Sequence, residues 1–118
     1  MSDIQRINPG PRMSQAVIYN GIIWLAGQVG TPGASITDQT RDMLAGVDAL
    51  LSENGTSKSR ILQATIWLAD MADFAEMNAI YDAWIDPANP PTRACSEAAL
   101  ATPDYKVEII IVAAIDDN

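Results

Sequence analysis

Histidine is absent from the 118 residues, and cysteine and phenylalanine occur once each. The first absence removes the usual general base near neutral pH, the usual Ser-His or Cys-His dyad and the commonest metal ligand. A single cysteine cannot close an internal disulfide, and one thiol among scattered acids has no metal-ligand spacing, so no metal is expected. Any chemistry must then use Arg, Cys, Glu, backbone groups or water. Positive charge is scarce too: 7 basic residues against 15 acidic ones give a net charge of -8. Nucleic acid and anionic membrane surfaces repel such a chain, and neither is expected as a partner. No apolar run approaches the roughly 18 residues that a membrane span requires. The start, Met1-Ser2-Asp3-Ile4-Gln5-Arg6, carries no charged-then-apolar leader, so a reducing cytoplasm is the expected location.

What is present reads as a globular chain, with 48% hydrophobic residues and a length suited to one domain over residues 1–118. Ala16-Val17-Ile18-Tyr19 and Ile22-Ile23-Trp24-Leu25-Ala26 are β-prone runs joined by Asn20-Gly21, a type I′ hairpin signal. Gly27 to Gly33 breaks all periodicity and reads as a loop with exposed amides. From Ile36, apolar residues at Met43, Leu44, Val47, Leu50 and Leu51 mark an amphipathic helix that Asn54-Gly55 closes. Ile61 to Leu68 reads as a strand with Leu62, Ala64, Ile66 and Leu68 on one face, and Trp67 on the other. Asp73 and Glu76 have capping-box spacing ahead of a second helix whose stripe is Phe74, Met77, Tyr81, Trp84 and Ile85. Strands from Arg93 to about Leu100 and from Lys106 to about Ala114 are expected to form a closing hairpin across Ala101 to Tyr105.

The order β-β-α-β-α-β-β predicts an α+β domain, a mixed sheet with two helices on one face. The opposite face, which carries Trp67, then needs a cover, and other copies of the chain are the expected cover.

Arg93 and Cys95 stand two apart on a strand behind Pro90-Pro91, hence on one face. A guanidinium offers a planar fork that matches a carboxylate; alternatively it covers apolar surface or pairs with a surface acid. Cys95 as a nucleophile needs thiolate character, which Arg93 promotes and burial opposes, and without histidine beside it a wall of a pocket is the better role. Glu108 is an acid within an apolar strand. Buried, it has a raised pKa and positions or deprotonates a water; on an edge strand, it faces solvent and discourages aggregation. Folding the last two strands into a hairpin brings Glu108 near Glu97 and diagonally near Cys95, with Arg93 as the candidate cation. Asn78 shares a helix face with Phe74, Tyr81 and Ile85 and points toward the sheet, where it either orients a loop or bonds to backbone.

Four stretches resemble the Rid family of YjgF-like reactive intermediate deaminases. Met13-Ser14-Gln15-Ala16 is similar to the family's Tyr-Ser-Gln-Ala opening, and Leu25-Ala26-Gly27-Gln28 to its Ser-Gly-Gln segment. Met77-Asn78-Ala79-Ile80-Tyr81 resembles its helix motif, and Pro91-Thr92-Arg93-Ala94-Cys95 followed by Val107-Glu108-Ile109 resembles its arginine, cysteine and glutamate signature. The resemblance implies a chorismate-mutase-like fold, a homotrimer with three clefts between subunits, and cofactor-independent hydrolysis of enamines and imines such as 2-aminoacrylate and 2-iminopropanoate to 2-keto acids and ammonia. It further implies that Arg93 holds the substrate carboxylate, the Gly27 amide and Asn78 help form the binding site, Glu108 orients the water, and Cys95 lines the cleft. Met13 stands where the family's deaminases carry an aromatic residue, and Ala26 replaces a serine. The pocket is therefore expected to take a bulkier or more apolar imine, or to act as a non-catalytic trimeric binder of small carboxylates or of a partner protein. Ribonuclease and chaperone roles are also described in this family, but an acidic chain without histidine is poorly suited to RNA cleavage.

Overall fold

The computed structural model describes residues 3–115; Met1 and Ser2 of the start, on which the expectation of no leader partly rests, lie outside them. Strands β1 (Gln5–Ile7), β2 (Ala16–Tyr19), β3 (Ile22–Leu25) and β4 (Gln28–Val29) precede helix α1 (Ile36–Glu53). Strand β5 (Ile61–Leu68), helix α2 (Phe74–Trp84), strand β6 (Thr92–Glu97) and strand β7 (Val107–Ala114) complete the order. The sheet runs β1-β2-β3-β7-β5-β6, with β4 also paired to β7. Only β5 and β6 run parallel, which makes the sheet mixed as expected.

The hairpin signal is realised: Asn20 and Gly21 both have positive φ, at 51° and 77°, and β2 and β3 pair in register around them. Ser35 caps α1 by accepting from Asp38 N–H at 3.1 Å, and Gly55, at φ 79°, turns the chain out of the helix. Met43, Leu44, Val47 and Leu51 are buried against Ile23, Ile66, Ile109 and Ile111 of the sheet in one core cluster. Helix α2 adds Met77 and Tyr81 to the same cluster, so both helices cover one face.

The structure corrects four expectations. First, β6 and β7 form no hairpin, because β5 lies between them, pairing parallel with β6 and antiparallel with β7. The connection from α2 into β6 is a right-sized crossover for a parallel strand, whereas the turn signal at Ala101 to Tyr105 serves a longer loop. Second, the strand face read for β5 slips by one residue at its start: a register shift between Ile61 and Gln63 buries Ile61 and leaves Leu62 46% exposed. Third, Gln28–Val29 is not loop but a short strand on β7. Fourth, the Asp73 and Glu76 box does not form. Asp73 makes no side-chain cap; Asp70 accepts from Ala72 N–H one turn earlier, and Glu76 accepts from the Thr37 hydroxyl of α1.

The other sheet face has no helix on it. Register places Val17, Trp24, Val112, Ile110, Glu108, Val29, Thr65 and Trp67 there, with Trp24 41% and Trp67 37% exposed. Apart from Glu108 and Thr65 this face is apolar, and no helix covers its two half-exposed tryptophans.

Candidate functional site

Six residues carry the expected chemistry, and the sheet sorts most of them by face. Arg93 pairs in register with Ala64, and Ala64 with Ile111, all on the helix-covered face. Its Cζ lies 4.7 Å from the ring centroid of Tyr81 and 5.9 Å from that of Phe74, so the guanidinium stacks on two aromatic rings of α2. No carboxylate pairs with it among the described residues, which leaves its donor fork available. Burial pushes the Tyr81 hydroxyl pKa up, with Arg93 opposing the shift.

Cys95 follows two residues later on the same face, in register with Ile66 and packed against the core. Burial pushes its thiol up from 9.0, and Arg93 only partly offsets this. The group is a thiol at neutral pH, in keeping with a wall rather than a nucleophile. Glu97, one row further, accepts from Met71 N–H at 3.0 Å and so fastens the entry to α2. Asn78, between Phe74 and Tyr81 on α2, has a buried Oδ1 with no hydrogen-bond partner.

Glu108 belongs to the opposite face, in register with Trp67, Ser96 and Val29. The expected closeness of Glu108 to Glu97, Cys95 and Arg93 is therefore not found. Arg93 and Glu108 are separated by two strand spacings and three residue rows, about 14 Å along the backbone from the usual strand dimensions, and their side chains leave from opposite faces. What Glu108 does meet is Gly27. A Cβ at position 27 would overlap Glu108 Oε2 and lie 3.1 Å from Cδ, so the absence of a side chain at 27 is what admits the carboxyl group. Burial raises the Glu108 pKa from 4.5, with no opposing cation.

Met13 lies in the loop between β1 and β2 and is 50% exposed. That loop is fixed by Gln15, which donates to Ile7 O and accepts from Ala26 N–H, both at 2.9 Å, placing it beside the strand end that leads into Gly27. Three residues have structural roles that were not singled out from sequence. Fully buried Gln39 bonds Ala34 O, Asp104 O and Lys106 N–H, which clamps the loop leading into β7 and Glu108. Tyr81 and Phe74 form the platform under Arg93, a role hidden within an ordinary helical stripe. Two cavities, of about 340 Å³ beside Leu44 and Trp84 and about 250 Å³ beside Ser59 and Asn89, contain none of these six residues.

Arg93 and Glu108 thus stand on opposite faces of one sheet, and the face that carries Glu108 is largely apolar with no helix over it. The chain matches the family model described as Endoribonuclease L-PSP over residues 3–115 and belongs to that family, which includes the YjgF and RutC proteins. It is 49% identical over 114 residues to a RutC family protein of Haemophilus ducreyi, covering 96% of this chain and 97% of that one. A crystal structure of a YjgF family member from Neisseria meningitidis superposes with a TM-score of 0.94 at 46% identity, covering 98% of both chains. A chloroplastic protein of Arabidopsis thaliana named Reactive Intermediate Deaminase A is 32% identical over 109 residues, 86% of this chain and 58% of that one. The fold is thus the YjgF-like, chorismate-mutase-like arrangement. Among the described residues no helix is long and apolar enough to cross a membrane.

Proposed function

We propose that the protein is a homotrimeric hydrolase of small 2-imino acids and their enamine tautomers, releasing the 2-keto acid and ammonia. The observation that carries this reading is the division of Arg93 and Glu108 between opposite faces of one sheet, with Trp67 exposed beside Glu108 and Trp24 exposed further along the same face. Stacking chains on that face would bring the Glu108 and Gly27 of one subunit against the Arg93 edge of the next, and three copies would close three clefts. The arrangement is favoured further by the kinship with a named reactive intermediate deaminase.

In such a cleft Arg93 of one subunit binds the substrate carboxylate through two parallel hydrogen bonds. Glu108 of its neighbour accepts a proton from a water as that water attacks the imine carbon, and a raised pKa makes it a better base than an ordinary carboxylate. Glu108 passes that proton to the imine nitrogen, which gives the neutral carbinolamine. As the carbinolamine collapses, Glu108 takes its hydroxyl proton while the C=O bond forms and delivers it to the amine nitrogen while the C–N bond breaks, so nitrogen leaves as ammonia and Glu108 is again a carboxylate. One water is consumed and no electron changes hands. The imine carbon is already electrophilic, so holding it beside an oriented water in a sheltered cleft supplies the acceleration. Cys95 and Met13 shape the walls, and the flexible apolar Met13 favours a larger or more apolar side chain than an aromatic at that place would.

The test is to generate 2-iminopropanoate and bulkier 2-imino acids in situ and follow their loss with and without the protein. Acceleration over buffer supports the reading. Saturable binding of 2-keto acids without acceleration would replace it with a carboxylate-binding trimer.

A further inference from the structure

Asn78 holds the one anomaly near Arg93. Its Oδ1 is closed to solvent and has no hydrogen-bond donor, a state that costs free energy unless another arrangement relieves it. It stands four residues after Phe74 and three before Tyr81 on α2, so the three side chains share one helix face. The Arg93 guanidinium lies over the two rings that flank it. Because the oxygen is sealed from water, its missing donor must be a group already packed around it. Arg93 supplies five N–H groups over this patch and spends none on a carboxylate among the described residues.

We infer that Asn78 is a positioning residue for Arg93. When the guanidinium engages a carboxylate ligand, one of its N–H groups closes on Asn78 Oδ1, which fixes the rotation of the plane and aims the remaining donor pair at the ligand. The aromatic rings hold the plane of the guanidinium; the amide holds its rotation, which stacking alone leaves free. This role rests on the carboxylate-holding part proposed for Arg93 and adds a group that acts on the ligand only through that arginine.

The experiment is a double-mutant cycle read as KM for 2-iminopropanoate and as Kd for pyruvate by calorimetry. Asn78→Leu keeps the side-chain volume and removes the acceptor; Asn78→Ala serves if the leucine variant does not fold, and thermal melts verify folding of each. In the Arg93 background, loss of the acceptor is expected to weaken pyruvate binding and raise KM by about 10-fold or more, as loss of a hydrogen bond to a charged group does. In the Arg93→Lys background, where the planar fork is gone, the same substitution is expected to change both by less than about 2-fold. Equal factors in the two backgrounds would overturn the inference, since Asn78 would then act independently of Arg93, and so would no effect in either. A wild-type protein that neither binds pyruvate nor hydrolyses the imine would overturn the carboxylate-holding reading and this inference together.

Discussion

Glu108 and Gly27 are in such close approach that the carboxyl oxygen of one occupies the space a side chain would take on the other. This pairing couples the strand end after β3 to β7 and gives the acid a fixed position on the open sheet face. Gly27→Ala should therefore move the carboxylate without touching the core. The expected result is a fall in kcat/KM of about 100-fold, in the range for loss of a positioned base, with a thermal midpoint within a few degrees of wild type.

Raised by burial, the Glu108 pKa has consequences of definite sign. In the folded chain the acid binds its proton more tightly than in the unfolded chain, so its protonated form adds stability below the unfolded pKa. That contribution is lost as pH rises through the folded value. Glu108→Gln should accordingly raise the thermal midpoint at neutral pH. The carboxylate is the active form, so kcat/KM should climb along an acid limb with a midpoint above 4.5, and the glutamine variant should lack both the limb and the activity.

Arg93→Lys keeps the charge but loses the planar fork and the stacking on Tyr81 and Phe74. KM for a 2-imino acid should rise by about 10 to 100-fold, the cost of one charge-assisted hydrogen bond, while Arg93→Ala should abolish turnover. Initial-rate kinetics on both variants measure this directly.

Gln39 predicts a stability effect. Its side chain makes three hydrogen bonds in the buried space between α1 and the loop ahead of β7. Gln39→Leu would leave Lys106 N–H and two carbonyl oxygens without these partners, at a cost of about 3 kcal/mol in chemical denaturation.

Much of the fold was legible because local chemistry agrees with the final topology. Asn20-Gly21 needs a type I′ turn, and the spacing from Ile36 to Leu51 allows only one buried helix face. The order of the last strands was not legible. A strand such as Ile61 to Leu68, apolar on both faces, carries no mark that it will insert between β6 and β7, because parallel pairing leaves no turn in the sequence to reveal it. The same insertion hid the site. Arg93, Cys95 and Glu108 could be picked by residue type, but their alternation on β6 and β7 fixes faces only once the neighbours are known, and those neighbours put Glu108 beside Gly27 rather than beside Arg93. Gln39 carried no signal at all, since a glutamine in an amphipathic helix reads as a solvated position.

A cleft built from two chains is tested most directly by mixing two inactive proteins. Arg93→Ala and Glu108→Gln subunits, unfolded together, refolded in equal amounts and assayed for imine hydrolysis, would assort at random into shared oligomers. About one quarter of the clefts would then hold a native Arg93 from one chain against a native Glu108 from its neighbour, and activity should return to about that fraction of wild type. A mixture as inactive as its two components, with hybrid oligomers verified by mass, would contradict the shared cleft.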